Sequence, residues 1–338
     1  MAHPVIDNQT PFEYQPVFIT DEDLRPAVVT LVKGTFNLLD DGRAVAAEDQ
    51  TAVNLAGEPW SEAPLSSFRY EPEIALCKPA TDVVLIAHAV GGEQPVTQMD
   101  VGIKVGPVQK LARVFGDRFW VYTHGRVTLS SIQPIQQIPL TWENAFGGLD
   151  TLKSTAERVV VEEHNPVGTG FGQPLQKEED WLKLPNIEDP RNLLTEYGGR
   201  VHPTGFGFTQ PNWHPRAGFA GTYDEEWDKK RKPKLPTDFD RRYFNAAPPD
   251  MIAPGFLRGD EPVVVLNASG IPRYDTRLPA VAPPVCTVMR RGREDTTVQT
   301  NLDTVIINMD ERQLILIWRG YALGSPQDVT TVQARIPQ

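Results

Sequence analysis

Four carboxylates have the residue type and the surroundings that acid–base chemistry needs, because each lies beside a predicted strand end or turn. They are Asp82, Asp117, Glu143 and Asp260. Glycosidases use two such groups about 5–9 Å apart, one as an acid and the other as a base or nucleophile. A carbohydrate-active or otherwise hydrolytic β-protein with a carboxylate pair is therefore one alternative for this chain.

Each of these carboxylates also has a structural role open to it. Asp82 can accept backbone N–H bonds in the turn after Pro79, and Asp117 stands at a predicted turn. Glu143 lies early in a predicted helical turn, where the helix dipole favours a negative charge. We favour these structural roles and predict no catalytic residue.

Histidines are the second group that could carry chemistry, since they are common metal ligands. The six are His3, His88, His124, His164, His202 and His214. They form no i,i+4 pair on a predicted helix and no H-E-x-x-H motif. His164, His202 and His214 share one loop-rich segment and could converge on a metal, but their spacing matches no established ligand pattern. We interpret them as structural or surface histidines and predict no metal and no cofactor.

Motifs for nucleophilic catalysis and for phosphate binding are absent from the sequence. There is no G-x-S-x-G, and segments 168–170 and 205–207 complete neither a Walker A loop nor a G-x-G-x-x-G. Glycines beside aromatic residues in loops more often mark tight turns with a closely packed neighbour. The sequence therefore predicts a protein that is not an enzyme.

Charge and cysteine content limit the partners and the compartment. The chain of 338 residues has 33 basic and 44 acidic side chains, a net charge of -11. Compact nucleic-acid binders are usually basic, so we predict no nucleic-acid partner. Cys77 and Cys286 lie far apart and form no C-x-x-C pair, which favours a reducing cytoplasm. With no signal-peptide pattern and no apolar run of about 18 residues, we also predict no membrane partner.

The elements that must position these residues are mainly strands. Segment 83–86 is a continuous apolar run typical of a strand buried on both faces, and 101–105 alternates apolar and polar residues. Segment 115–118 is predicted to be a hairpin turn, because a central Gly-Asp pair suits one. Strand signals return after residue 261, where 308–312 is a polar hairpin connection.

The middle of the chain, 149–260, is irregular and rich in proline and glycine. Its many aromatic residues argue against disorder. Two short helices are predicted there, one that begins after Asp189 and one that begins at Thr222 with the i,i+4 pairs Glu225–Lys229 and Glu226–Lys230.

The predicted fold class is all-β, with mainly antiparallel β-sandwich units, a long irregular middle and a few short helices. We predict an N-terminal arm (1–20), an N-terminal β-unit (21–148), an irregular segment packed on the sheets (149–260) and a C-terminal β-unit (261–338). Two packed β-units are favoured over one continuous domain, because about 110 residues separate the strand-rich segments.

A set of ordered motifs carries a resemblance to a known family. They are VTLVKGTF (29–36), CKPATDVVL (77–85), VGIKVG with KLARVFGDRFW (101–120), IPLTWENAFGG (138–148), NPVGTGF (165–171), FNAAPPDM (244–251), LRGDEPVVV (257–265) and LDTVIINMDERQLILIWRG (302–320). Together they resemble the bacterial family catalogued as domain of unknown function 2169, from about residue 20 to 320.

The resemblance implies a role in type VI secretion. Members of that family look like adaptors or chaperones that help load a toxic effector onto the VgrG–PAAR spike, and they are not known to be enzymes. For this chain it implies a non-enzymatic adaptor in the cytoplasm of a Gram-negative bacterium, with a secreted effector and a VgrG or PAAR protein as partners. A structural component that stays in the secretion machine is a further alternative. The family transfers no catalytic residue.

If the chain is an adaptor, its contact residues should be exposed aromatic and arginine side chains in 149–260, since interface cores favour these residue types. We predict Phe208, Trp213, Arg216 and Trp227 as partner-binding residues. The alternative for each one is that it packs the irregular segment onto the sheets.

Overall fold

A computed structural model describes residues 4–62, 66–151, 153–155, 157–172 and 175–337. The strands, in chain order, are β1 Val5–Gln9, β2 Glu13–Thr20, β3 Pro26–Leu38, β4 Ala44–Ala46, β5 Glu58–Pro59, β6 Phe68–Tyr70, β7 Asp82–Ile86, β8 His88–Val90, β9 Gln98–Val105, β10 Val108–Phe115, β11 Phe119–Thr123, β12 Arg126–Leu129, β13 Gln137–Pro139, β14 Phe146–Gly147, β15 Thr169–Gly170, β16 Trp181–Lys183, β17 Ile187–Glu188, β18 Pro262–Ala268, β19 Ile271–Arg277, β20 Val285–Arg290, β21 Thr296–Gln299, β22 Asn301–Asn308, β23 Gln313–Leu323 and β24 Val329–Arg335.

Helical structure is short throughout the described residues. The α-helix is α1, Glu225–Lys230, and the 3-10 turns are Trp142–Asn144, Arg216–Phe219, Arg241–Phe244, Pro249–Met251 and Pro326–Asp328. The prediction of a mainly antiparallel all-β fold with only short helices is therefore confirmed. In the part of the chain that the structure describes, no helix has the length and apolar character needed to cross a membrane.

The largest sheet contains six strands. Its order is β2-β3-β23-β22-β7, with β4 paired to β3. β23 runs antiparallel to both β3 and β22, and β7 lies parallel to β22. Every residue of β7 is buried, which confirms the interpretation of 83–86 as a strand covered on both faces.

The five-stranded sheet has the order β17-β10-β9-β18-β19. β9 and β10 form a hairpin whose turn places Gly106 at a φ of 53°. Val101, Ile103 and Val105 are buried while Lys104 is exposed, as the alternation in 101–105 predicts. β9 also pairs with β18, so strands from 21–148 and from 261–338 are hydrogen-bonded within the same sheets.

Two smaller sheets complete the scaffold used below. One has the order β1-β24-β20-β21, and the other has the order β12-β11-β16. One extensive hydrophobic core joins the large sheets. A second, smaller cluster lies apart from it and includes Trp120 from β11 and Phe146 from β14. This smaller cluster is the usual result of a long irregular segment folding over a sheet.

The predicted hairpin at 115–118 is wrong. β10 ends at Phe115 and β11 begins at Phe119, but β10 pairs with β9 and β17 whereas β11 pairs with β12 and β16. The segment is a crossing between two sheets. Gly116 is needed because a Cβ there would lie 1.8 Å from the carbonyl oxygen of Gln133. Close backbone approach, and not turn geometry, explains this glycine.

The predicted helix after Asp189 is also wrong, since 190–197 forms only turns and bends. The Asp189 carboxylate accepts hydrogen bonds from the backbone N–H and the guanidinium of Arg191. Such a local turn competes with helix initiation, because the side chain satisfies the backbone donor within two residues.

The second predicted helix exists as α1, and both i,i+4 ion pairs, Glu225–Lys229 and Glu226–Lys230, are present. Its N-cap is Asp224, whose carboxylate accepts the backbone N–H of Trp227 at 2.8 Å. Thr222, the predicted cap, instead bonds to Asp238.

Candidate functional site

Asp82 has a structural position at the start of β7. Its carboxylate is fully buried, pairs with Lys78 Nζ at 2.7 Å and accepts the Asn245 side-chain amide at 2.8 Å. It also accepts the backbone N–H of Ala246 at 2.8 Å. These bonds tie the irregular segment to the six-stranded sheet.

Asp117 is held by Asn186 and Lys183, each 2.9 Å away. Burial acts to raise its pKa, but the hydrogen bonds from these two residues outweigh burial and lower the pKa below its ordinary value. The Asp117 carboxylate therefore serves to join two segments of backbone near β11.

Glu143 and Asp260 also bind local partners. Glu143 accepts the backbone N–H of Ser67 at 2.6 Å and the Ser67 hydroxyl at 2.9 Å. Asp260 Oδ1 lies 3.6 Å from Arg258 Nε in a long ion pair, and this buried oxygen accepts no hydrogen bond among the described residues. The four carboxylates thus contact separate sets of residues, and among the described residues no hydrogen bond or ion pair joins any two of them. These residues give the carboxylate-pair hypothesis no support.

The predicted partner-binding residues are mostly core residues, so their expected exposure is wrong for three of four. Phe208 and Trp213 are 2% and 1% exposed, and Arg216 is 5% exposed. Trp213 packs edge-on against Trp142 at 6.0 Å between ring centroids. In a segment without repeated strands, aromatic side chains supply the packing that fixes the backbone, and they are buried for that reason.

Arg216 and Trp227 show how the irregular segment is fixed. Arg216 pairs with Glu71 at 2.7 Å and donates to the carbonyl of Tyr243. Trp227, the fourth predicted contact residue, is half-buried, and its Nε1–H donates to the carbonyl of Lys234 at 2.9 Å. Both side chains therefore stabilise local backbone, and we assign neither to a contact surface.

Three histidines that sequence spacing left unconnected come together in the structure. The His164 ring lies 4.8 Å from that of His202 and 5.8 Å from that of His214, between centroids. His164 Nδ1 is 2.9 Å from Glu162 Oε1. Burial lowers the pKa of His202, and the neighbouring His164 lowers it further.

This histidine cluster borders a cavity of about 270 Å³ that Trp142 and Lys110 also line. Across the described residues, no group of three or more His, Cys, Asp or Glu side chains is arranged to hold a metal ion. The three histidines and Glu162 therefore form a cluster of ionisable side chains beside the cavity.

The other histidines lie elsewhere. His88 Nδ1 is 2.8 Å from Asp310, and His124 occupies the turn between β11 and β12 with a φ of 53°. His3 lies outside the described residues.

A groove of about 680 Å³ crosses the outer face of the five-stranded sheet. Its floor is set by strand register: Gly102 of β9 stands opposite Leu111 of β10 on one side and Leu266 of β18 on the other. A Cβ at Gly102 would lie 3.0 Å from the Leu111 Cδ1 and 3.7 Å from the Leu266 Cδ1. Gly102 is itself buried, so the two leucine side chains lie over the glycine, and Leu111 is 44% exposed.

The groove lining is more basic than the chain as a whole. It contains four cations and two carboxylates, namely Lys104, Lys110, Arg191, Arg273, Asp189 and Asp250. Lys104 is exposed and has no ion pair among the described residues. Arg191, Lys110 and Arg273 are paired with Asp189, Asp250 and Asp275, so Lys104 carries the unpaired positive charge of the lining, on a chain whose net charge is -11.

Lys110 and Asp250 line both the groove and the histidine cavity. Lys110 Nζ lies 2.8 Å from Asp250 Oδ1, and the lysine side chain is buried while the aspartate is half-exposed. Burial lowers the pKa of Lys110 although Asp250 opposes that effect. The ion pair therefore lies where the two depressions adjoin.

Sequence analysis alone missed this site. The alternation in β9 places Gly102 on the outward face of the strand, but the two leucines that flank it come from other strands.

The comparison with protein families gives a match: residues 23–319 match a family described as "Uncharacterized protein conserved in bacteria (DUF2169)". No curated protein matches the chain, and neither does any solved structure.

Proposed function

This chain belongs to the DUF2169 family of bacterial proteins, and from that premise we propose that it is a non-enzymatic adaptor for type VI secretion. In this proposal it binds a secreted effector in the cytoplasm and helps load it onto the VgrG–PAAR spike. The proposal includes no nucleic-acid partner and no membrane partner.

The observation that carries the proposal is the groove on the five-stranded sheet. Leu111 is 44% exposed and Leu266 is half-buried, and both line the groove beside Gly102. Exposed apolar side chains on the floor of a groove can contact an apolar side chain of a partner, which is how interface anchors are usually buried. An adaptor needs such an accessible surface, whereas the buried aromatic residues of 149–260 do not supply one.

Charge indicates which kind of partner segment the groove fits. Lys104, Arg191 and Arg273 stand around an apolar floor, with Lys110 in its wall. A complementary segment would present acidic residues at its edges and apolar residues at its centre, because complementary charges speed association and fix orientation. The proposed occupant is therefore an acidic, amphipathic segment of the effector.

The positions of the four candidate carboxylates also favour binding over hydrolysis. Asp82, Asp117 and Glu143 each accept hydrogen bonds that hold local structure, whereas Asp260 makes a 3.6 Å ion pair with Arg258. These contacts favour the adaptor over the alternative of a carbohydrate-active or other hydrolytic β-protein that uses a carboxylate pair.

The test is co-purification from cells that contain the complete secretion gene cluster. We expect the tagged chain to retain the effector and a VgrG or PAAR protein, and we expect Leu111→Asp and Lys104→Glu to lose the effector. Lys229→Glu, on exposed helix α1, is the matched charge control and should retain it. Equal retention by all variants would remove the groove from the proposal, and absence of both partners from the wild-type eluate would remove the adaptor role.

A second measurement separates an adaptor from a structural component of the machine. The amount of this chain in purified spike complexes is compared before and after firing. An adaptor is left behind in the cell, whereas a structural component leaves with the spike in constant proportion.

A further inference from the structure

The smaller hydrophobic cluster surrounds a cavity of about 300 Å³ that is separate from the groove. Its aromatic lining is arranged in two edge-on pairs. Trp120 lies 6.2 Å from Tyr197, and Phe146 lies 6.3 Å from Phe171, between ring centroids. Leu194 completes the apolar wall. Edge-on rings with space beside them leave their faces available to an apolar group.

Backbone forms the remaining walls of this aromatic pocket. Gly170, Gly172 and Gly198 all line it with positive φ, at 96°, 68° and 75°. A Cβ at Gly170 would lie 2.9 Å from Pro185, whereas one at Gly198 would meet nothing within 4 Å. Positive φ favours glycine at these positions, and Gly198 adjoins open space.

Two cations and no carboxylate stand among the described residues that line the pocket. Lys153 is already paired, since its Nζ lies 3.2 Å from the buried carboxylate of Asp150. Arg200 is exposed and has no ion pair in the described chain, and its guanidinium lies 5.1 Å from the centroid of Phe171. The rim therefore presents one uncompensated positive charge directly beside the aromatic rings.

We propose that the aromatic pocket binds a small apolar carboxylate, with its apolar group among Trp120, Phe146 and Phe171 and its carboxylate on Arg200. Guanidinium binds carboxylate through two parallel N–H···O bonds, so an anion at the rim gains both charge and geometry. The volume is at the small end for ligand pockets, which suits one aromatic or branched apolar group. The proposal does not depend on the adaptor role, since the pocket shares no lining residue with the groove.

Two sources could supply this chemistry, a free small acid or the C-terminal residue of a peptide. Calorimetry on the full chain compares 3-phenylpropionate, its uncharged amide, and an N-acetyl tripeptide that ends in phenylalanine with a free carboxylate. We expect the acid to bind at least about tenfold more tightly than the amide, which corresponds to about 1.4 kcal/mol. Tripeptide binding as tight as that of the acid would assign the pocket to chain termini, and binding of the acid alone would assign it to small molecules.

Arg200→Gln is the decisive variant, and Arg126→Gln is its control, because Arg126 is an exposed arginine of the three-stranded sheet that contributes Trp120 and does not line the pocket. Arg200 is exposed, so its replacement leaves the fold intact, which circular dichroism checks. We expect Arg200→Gln to remove the preference for acid over amide and Arg126→Gln to keep it. The proposal is overturned if none of the three probes binds, if acid and amide bind equally to the wild type, or if both variants behave alike.

Discussion

Arg319 and Asp303 form an ion pair inside the six-stranded sheet, with 2.6 Å between Nε and Oδ2 and both side chains almost fully buried. The register of β22 against β23 shifts around Asp303, so the carboxylate belongs to a β-bulge. Arg319 also donates to the carbonyl oxygens of Glu73 and Ala75 at 3.0 Å. One guanidinium therefore joins the bulge to the loop that crosses the sheet.

Asp303→Ala should destabilise the fold strongly, because it leaves the Arg319 guanidinium buried without a counter-ion. We expect a loss of about 3–5 kcal/mol in the free energy of unfolding, measured by urea denaturation. Asp275→Ala is the matched control, since Arg273 and Asp275 form a pair of the same 2.6 Å length on the surface. That change should have little effect, as exposed pairs contribute little. Similar midpoints for the two variants would contradict a stabilising role for the buried pair.

Gly116→Ala should also destabilise the protein, through a steric clash at the crossing between sheets. The new methyl group would meet the backbone of Gln133, and backbone cannot move aside as a flexible side chain can. We expect the free energy of unfolding, measured by thermal denaturation, to fall by about 1–3 kcal/mol or more. Gly92→Ala is the control, because a Cβ at Gly92 meets nothing within 4 Å and Gly92 has no positive φ. A Gly116 variant as stable as the Gly92 variant would show that the crossing is not closely packed.

The histidine cluster should make stability depend on pH. Burial and the neighbouring His164 lower the pKa of His202 below its ordinary 6.5 in the folded state, although Glu162 opposes this effect. As the pH falls, the unfolded chain therefore binds this proton before the folded chain does. The contribution of His202 to stability is thus complete above pH 6.5 and is lost as the pH falls below that value.

His202→Gln tests this pH dependence, because glutamine does not titrate. The variant and the wild type should unfold at similar urea concentrations at pH 8, and the wild type should lose more stability than the variant between pH 7 and pH 5. Parallel stability curves for the two proteins over that range would show that His202 does not contribute to the pH dependence.

The two cysteines should differ in reactivity toward a thiol reagent. Burial raises the pKa of Cys286 to about 11, and this residue is fully buried, whereas Cys77 is half-buried. Only the thiolate reacts, so Cys286 should be labelled at pH 8 only after unfolding, while Cys77 is labelled slowly in the native protein. Cys77→Ser should abolish native labelling. Native labelling that persists in this variant would mean that Cys286 becomes accessible without unfolding.

The local pattern of apolar and polar residues was sufficient to predict strands that are buried on one face or on both faces. Segments 83–86 and 101–105 form strands as expected, and 308–312 connects β22 to β23. The prediction of a hairpin at 115–118 was wrong because the strands on either side pair with distant segments. A Gly-Asp pair occurs both in hairpin turns and in segments that cross between sheets, so the sequence alone does not distinguish them. The helix predicted after Asp189 does not form because the Asp189 carboxylate accepts the backbone N–H of Arg191. The hydrophobic pattern of the sequence contains no information about such a side-chain hydrogen bond.

The candidate site was less predictable than the fold, for two physical reasons. Irregular backbone has no periodicity, so nothing in 149–260 indicates that Phe208 and Trp213 point inward. The other reason is that the site forms by convergence of distant residues. The rings of His164 and His202 meet only through tertiary packing, as do the leucines around Gly102.

The pairing of β3 with β23 has a consequence for synthesis of the chain. Thr30 and Gly320 are hydrogen-bonded although 290 residues separate them. During translation, the apolar strand β3 therefore emerges from the ribosome long before its pairing partner β23 has been synthesised. Non-local pairing of this kind slows folding and leaves strand edges open to aggregation. Folding of the nascent protein should therefore depend on molecular chaperones. C-terminal truncations that remove β23 should accumulate in inclusion bodies.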